Sequence, residues 1–368
     1  MTSNEQKERL TDSITLLNVP GVGRGRYWRL VSKFGSPSAV LEASIVELEA
    51  VPDIGHTVAV AVKNECCPEN AREIAARIFQ LGWVVLYPGH PEYPKLLKEI
   101  PDLPPLLFRI GETVAEDEKM IGIVGTRHAS ERGRVFAFNL AAKLVEAGIV
   151  VVSGMAEGID SSAHKGALEA GGRTVAVWGT SLDIVYPPAN KLLAKMIAEK
   201  GCIYSEYFPD TGPNPAFFPE RNRIISGLSE GVVVVEAGKK SGALITARQA
   251  IEQGRELFAV PGWPDSPRSI GSNSLIKQGA GLITEVEDIF RQLPRLKGEI
   301  SAKNFKNHPN LTDAEKDIIS LLSAGPRQID QLARESGRKA SEIMELVLAM
   351  ELKGVLQEIS GKRFIISE

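Results

Sequence analysis

Residues 149–171 read IVVVSGMAEGIDSSAHKGALEAG. The unbroken Ile-Val run suits a strand buried on both faces, where β-branched side chains pack without alternation. It closes on Ser153-Gly154, and behind it SSAHKGALEAG carries apolar residues at three-and-four spacing and stops at glycine, as a helix does. Strand, glycine-rich turn and covering helix together make half of a βαβ unit.

The same cadence repeats along the chain. MIGIVG (120–125), TVAVWG (174–179), CIYSEY (202–207), VVVVEAG (232–238), LFAVPG (257–262) and GLITE (281–285) are further strand candidates. RVFAFNLAAKLVEAG (134–148), NKLLAKMIAEKG (190–201) and ALITARQAIEQG (243–254) supply helices between them. Right-handed crossovers of this kind predict an α/β fold with a doubly wound parallel sheet.

A chain of 368 residues exceeds what one core usually fills, so further domains are expected. Residues 1–82 read as a helical domain in which LLNVPGVGRGRYWRLVSKFGS (16–36) is helix, tight turn, helix, and LEAVPDIGHTVAVAV (48–62) repeats a similar turn. The sheet domain is expected over 83–292, entered through WVVLY (83–87) and the Pro-rich DLPPLLFRIG (102–111). A basic, Asn- and Pro-containing linker follows over 293–311. Residues 312–368 then offer three helical patterns and a hairpin, VLQEISGKRFIIS, turning at Ser360-Gly361, which is a winged-helix plan.

Composition narrows the function. Hydrophobic residues at 43% and charged residues at 24% describe an ordinary globular chain, and its net charge of −3 argues against binding driven by a bulk positive field. Three cysteines and five histidines show neither disulfide nor zinc-ligand spacing, so no metal and no cofactor are expected. With no apolar run long enough for a membrane span and no secretion signal at the start, the expected location is cytoplasmic.

In a doubly wound sheet, ligands bind beyond the carboxyl ends of the strands. Those ends carry Gly125, Thr126 and Arg127, then Ser153, Gly154 and Gly158, then Lys239 and Lys240. Lys165 and Lys191 stand on the helices nearby, and FFPERNRIISGL places Arg221, Asn222 and Arg223 near a helix start marked by Pro219. Glycine lets a backbone approach a ligand, and peptide nitrogens at helix N-termini bind oxyanions. The same glycines also serve tight βα turns with no ligand at all. Phe217 and Tyr207 are candidate base-stacking aromatics, whereas Phe218 reads as core. Ser153, Asp160 and His164 invite comparison with a hydrolase triad, yet there is no nucleophile elbow, no dinucleotide fingerprint and no P-loop.

At VGTRHAS (124–130), SGMAEGIDSSAH (153–164), TVAVWGTSLDIVYPPAN (174–190), SEYFPDTGPNPAFFPERNRIISGLS (205–229), VVVEAGKKSGALITARQA (233–250), FAVPG (258–262) and GSNSLIKQGA (271–280), in this order, the chain closely resembles the DNA-processing protein A (DprA, or Smf) family. The resemblance spans about residues 85–290. It implies an extended Rossmann-like domain that binds single-stranded DNA, forms homodimers and helps load the RecA recombinase on incoming strands in natural transformation; a non-enzymatic role is expected. It places the family's phosphate-contacting turn on Gly125, Thr126 and Arg127, and its Arg-Asn-Arg segment on 221–223. Members often carry a lysine in the Tyr-Pro turn; Pro187 and Pro188 stand there here, leaving Lys191 as the nearest cation.

VPGVGRG resembles a helix-hairpin-helix turn, in which Gly21, Gly23 and Arg24 would hold a phosphate; protein contact is an equal reading. The C-terminal segment resembles the winged-helix appendage of many members, and Glu342 and Glu345 on its third helix favour protein binding or weak DNA binding. Two rival functions remain at this point. One is a nucleotide phosphoribohydrolase, disfavoured because AGKKSGALITARQA holds no acid before Glu252. The other is a winged-helix regulator of duplex DNA. The favoured expectation is a cleft in which bare peptide nitrogens and a few arginines grip the backbone of an unpaired strand.

Overall fold

The computed structural model describes residues 3–112, 119–296, 312–322, 325–352, 355–359 and 362–366. The chain divides into two compact units, Met1–Leu296 and Lys297–Glu368.

The first unit opens with six helices, α1 (Ser3–Leu17), α2 (Arg24–Phe34), α3 (Pro37–Glu42), α4 (Ile45–Glu49), α5 (His56–Asn64) and α6 (Pro68–Gln80). Its two hairpin turns are built alike. Gly21 and Asp53 take left-handed backbone at φ 82° and 68°, and Gly23 and Gly55 then cap α2 and α5 in extended conformation. Leu16, Tyr27, Leu30, Leu48 and Val62 fill the core between the hairpins. α1 and α6 turn another face to the sheet, where Leu10, Ile14, Ala75 and Ile78 meet Trp83, Phe108 and Ile203.

The nine-stranded sheet runs β1-β2-β6-β5-β4-β3-β7-β8-β9. Its strands are β1 (Val84–Leu86), β2 (Leu107–Gly111), β3 (Met120–Val124), β4 (Val150–Ser153), β5 (Thr174–Val177), β6 (Cys202–Ser205), β7 (Gly231–Val234), β8 (Glu256–Ala259) and β9 (Gly281–Leu282). From β6 to β9 every pairing is parallel, whereas β2 pairs antiparallel with both β1 and β6. β2 corrects the sequence reading, which took DLPPLLFRIG as a passage into the sheet. Pro104 and Pro105 just before it and Arg109 in its middle hide a strand whose Phe108–Gly111 pair with Cys202–Ser205.

Successive valines serve opposite layers. Val150, Val152, Val232 and Val234 pack towards α10 (Phe217–Leu228) and α11 (Ala243–Glu252), whose Ile224, Leu228 and Ala247 share their cluster. Val151, Val233 and Val235 pack towards α7 (Glu131–Glu146), α8 (Ile159–Glu169) and α13 (Val286–Gln292). α9 (Lys191–Lys200) and α12 (Ile270–Lys277) complete the layers. The chain moves outward from β3 in one direction through β4, β5 and β6, and in the other through β7, β8 and β9. The switch point therefore lies between β3 and β7, and a crevice is expected beyond their carboxyl ends.

The second unit contains α14 (Asp313–Leu322), β10 (Arg327–Gln328), α15 (Ile329–Ser336), α16 (Ala340–Leu352), β11 (Leu356–Ile359) and β12 (Arg363–Ile366), with strand order β10-β12-β11. This is a winged-helix arrangement around Ile318, Leu332, Ile343, Val347 and Phe364. The short β10 was not foreseen, because two polar residues carry no strand signal of their own. The hairpin turn at Ser360-Gly361 and most of the linker, 297–311, lie outside the described residues.

Candidate nucleic-acid interface

The turns after β3 and β4 interlock. A Cβ on Gly125 would stand 2.4 Å from Ile159 Cγ1 at the head of α8, so the close approach of that helix demands glycine. Gly158, at φ 82°, lies so near Thr126 that a Cβ would meet its carbonyl oxygen at 2.4 Å. Between the turns sits the carboxylate of Asp160, which is buried and accepts the peptide nitrogens of Gly154 (3.2 Å), Gly125 and Ala156. Burial pushes its pKa up to about 6, against the opposing pull of Arg221.

Arg221 is 4% exposed, and its Nη1 donates to the carbonyls of Gly154, at 2.6 Å, and Val177. Burial lowers its pKa to about 10, with Asp160 opposing and Arg127 adding like-charge repulsion. Asn190 Nδ2 ties the neighbouring turn by donating to Met155 O at 2.8 Å and Ser161 Oγ at 2.9 Å. Ser153 Oγ donates to Ile123 O at 2.6 Å. His164 Nδ1 donates to Thr174 Oγ1 at 2.7 Å, since that hydroxyl gives its own proton to Val151 O. Ser153, Asp160 and His164 thus each belong to a separate hydrogen-bonded arrangement, and no triad forms.

These bonds correct the expected cradle of bare amides. The Gly125 and Gly154 nitrogens are already occupied by an internal anion, and Ser153 and Gly154 are buried. At the next turn Glu236 accepts Ser130 N at 2.9 Å and Ser130 Oγ at 2.5 Å, placing its carboxylate at the N-terminus of α7. The acid just ahead of AGKKSG is committed to this cap. Arg221 is a strut rather than an open clamp. Arg223, also 4% exposed, turns away to Glu206 (2.6 Å) and Asp102 (3.0 Å). Lys165 is exposed roughly two turns into α8, on the same solvent face as Glu169 and away from the strand tips.

What the edge does present is one arginine on aromatic rings. Arg127 is exposed, and its guanidinium carbon lies 5.1 Å from the centre of the Phe218 ring. Phe218 packs at a tilt against Tyr186, with ring centres 5.5 Å apart, and Tyr186 is 36% exposed. Phe218 is therefore half-exposed at the rim rather than core, lodged where Gly179 leaves room for its ring. Phe217 and Tyr207 stack on each other at 4.4 Å, so each has one ring face taken. Thr126 N donates to Glu236 O at 2.8 Å, which sets the Arg127 turn beside the turn bearing exposed Lys239 and Lys240. Asn222 bridges towards that turn through Gly242 O at 3.5 Å, and exposed Lys191 opens α9 next to Asn190. Tyr186 was missed in sequence because a tyrosine beside two prolines reads as turn punctuation.

The profile of the family described as DNA recombination-mediator protein A matches residues 83–294. The chain belongs to this family. The family's description is that of a recombination mediator. Protein Smf of Synechocystis sp. is 32% identical over 381 residues, which cover 94% of this chain and 96% of that protein. The crystal structure of DNA processing protein A from Streptococcus pneumoniae has 33% identity and a TM-score of 0.67, covering 76% of this chain and 97% of its own. A structure of DNA processing protein A from Helicobacter pylori, described for its single-stranded DNA binding mode, has 31% identity and a TM-score of 0.52, covering 58% of this chain and 96% of its own.

Two flanking profiles accompany that of the recombination mediator, a SAM-like helix-hairpin-helix tandem over 13–66 and a DprA winged helix domain over 306–362. In the first hairpin Arg24 is engaged inside the molecule. It grips Asp102 with Nε (3.2 Å) and Nη2 (3.0 Å) and reaches Glu220 with Nη1 (3.0 Å). Glu206 and Asp102 outweigh partial burial and hold the Arg24 pKa above its ordinary value. The Gly21 carbonyl accepts Arg26 Nη1 at 2.8 Å, while Gly23 remains exposed. On α16, Glu342 and Glu345 are exposed beside Met344 and Leu348. Among the described residues no helix is long and apolar enough to cross a membrane.

Proposed function

We infer that this recombination-mediator homologue binds single-stranded DNA without sequence preference, at the carboxyl edge of its sheet. The observation that carries the reading is Arg127 poised over Phe218 beside Tyr186, a cation for a phosphate set against ring faces for an unpaired base. Exposed Lys191, Lys239 and Lys240 extend the positive rim, and the internal anions Asp160 and Glu236 hold its turns rigid. Side chains, not loop amides, make the contacts. A duplex keeps its bases stacked away from such rings and gains less here. The single-stranded DNA named for the H. pylori relative supports the ligand class.

From the family resemblance we also infer a second step, delivery of the held strand to the RecA recombinase by a pair of protein copies; the description of the family as a recombination mediator supports only the mediating role. Gel-shift competition between a single-stranded oligonucleotide and its duplex, using the full chain, tests the ligand. Preference for the single strand is expected, and preference for the duplex overturns the reading in favour of the winged helix.

A further inference from the structure

Of the four tryptophans in the chain, Trp83 and Trp178 are buried and Trp28 is half-buried, whereas Trp263 is 74% exposed. It sits in the loop from β8 to α12, at the same carboxyl edge as Arg127. A large apolar ring left in water on a floppy loop would need no explanation, but this loop is tied down at both ends. Asn273 receives Gly262 N at 3.1 Å and donates to Gly262 O at 2.8 Å. A Cβ on Gly262 would fall 2.1 Å from Ser269 Oγ, so the start and finish of the loop touch. Ser266 N bonds to Trp263 O at 3.1 Å, and Ser269 N to Ser266 O at 2.9 Å, folding the segment between into consecutive turns.

The loop is also fastened to the proposed interface. Arg268 Nε donates to His128 O at 2.9 Å, one residue from Arg127. Pro267 O lies 3.1 Å from where a Gly238 Cβ would stand, one residue from Lys239. Trp263 therefore shares an edge with the exposed cations Arg127, Arg268, Lys239 and Lys240; against them the loop 260–269 sets one acid, Asp265.

The geometry points to Trp263 as a second stacking platform, receiving the face of an unpaired base further along the strand whose phosphates pass Arg127, Arg268 and the Lys239-Lys240 pair. Positive charge around a rigid, flat, accessible ring suits a polyanion with free bases better than an apolar protein surface. The proposal rests on the single-strand reading above and extends its path from β3 and β7 across to β8.

The test follows tryptophan emission of the full chain during titration with an oligothymidylate. Stacking should quench the wild-type signal, and Trp263→Phe should bind comparably with the quench gone. Trp263→Ala should lose about five- to 150-fold in affinity, the range base–aromatic stacking spans, with its salt dependence unchanged because no phosphate contact is removed. Binding with unaltered emission, a quench that persists in Trp263→Phe, or full affinity in Trp263→Ala each overturns the platform while leaving the Arg127 interface standing. Absence of wild-type binding overturns the single-strand reading, and the platform with it.

Discussion

The Asp160 carboxylate accepts the Gly154 peptide nitrogen at 3.2 Å, so the glycine-rich turn that looks most like an anion site already contains its anion. Arg221 locks the same turn from the other side through Gly154 O. Removing it leaves a buried carboxylate without its countercharge and two strand-end carbonyls without a donor. Arg221→Ala should cost about 3–5 kcal/mol of stability, the usual consequence of breaking a buried charged arrangement, read as a lower urea midpoint. A variant that unfolds at the wild-type midpoint yet no longer binds DNA would make Arg221 a ligand contact instead.

Two buried groups pull stability in opposite directions with pH. His164 has its pKa lowered to about 3 by burial, with the nearby Arg221 charge adding to the effect. The folded state therefore binds fewer protons at His164 than the unfolded chain does. Its contribution is complete above pH 6.5 and is lost as pH falls from there towards 3. Asp160 is raised to about 6, so the folded state holds its proton more tightly, and its contribution is complete below about pH 3.8 and lost as pH rises to 6. His164→Asn cannot titrate, so its stability relative to wild type should improve progressively below pH 6.5 in urea titrations at a series of pH values. A constant difference across pH 4–8 would contradict a neutral buried imidazole.

Arg24, Asp102, Glu220, Arg223 and Glu206 form one ionic network joining the first hairpin to α10. Its two arginines should behave differently. Arg24 and its partners are partly exposed, so Arg24→Ala should cost about 1 kcal/mol or less, after solvent screening. Arg223 and Glu206 are both nearly buried, and Arg223→Ala should cost about 3–5 kcal/mol. Acids within the molecule already hold both arginines, so Arg24→Ala should keep its single-strand affinity in the same gel-shift assay. A loss of affinity without a loss of stability would return Arg24 to the DNA.

The βα cadence was legible because buried parallel strands have a composition of their own, and IVVVSG or VVVVEAG admits few alternatives. β2 was not, since Leu107–Gly111 becomes a strand through its pairing with β6, almost a hundred residues away in sequence. The choice of the strand tips as the candidate site was readable in the same way, from the glycines. Which groups there face outward was not. Asp160 and Arg221 are charged residues in ordinary sequence context, and their enclosure follows from the crossing of α8 and α10 over the ends of β4 and β5. Phe218 failed in the other direction: its apolar ring suggested core, but Arg127 and Tyr186 hold it at the rim.

The most direct test is the salt dependence of single-strand affinity for wild type and Arg127→Ala in the full chain. Each phosphate neutralised on a single strand contributes a slope of about 0.7 in log K against log salt. Arg127→Ala is expected to bind more weakly at low salt, with its slope reduced by about that amount and its urea midpoint unchanged. Equal affinity and equal slope in the two proteins would contradict an interface centred on Arg127 and Phe218.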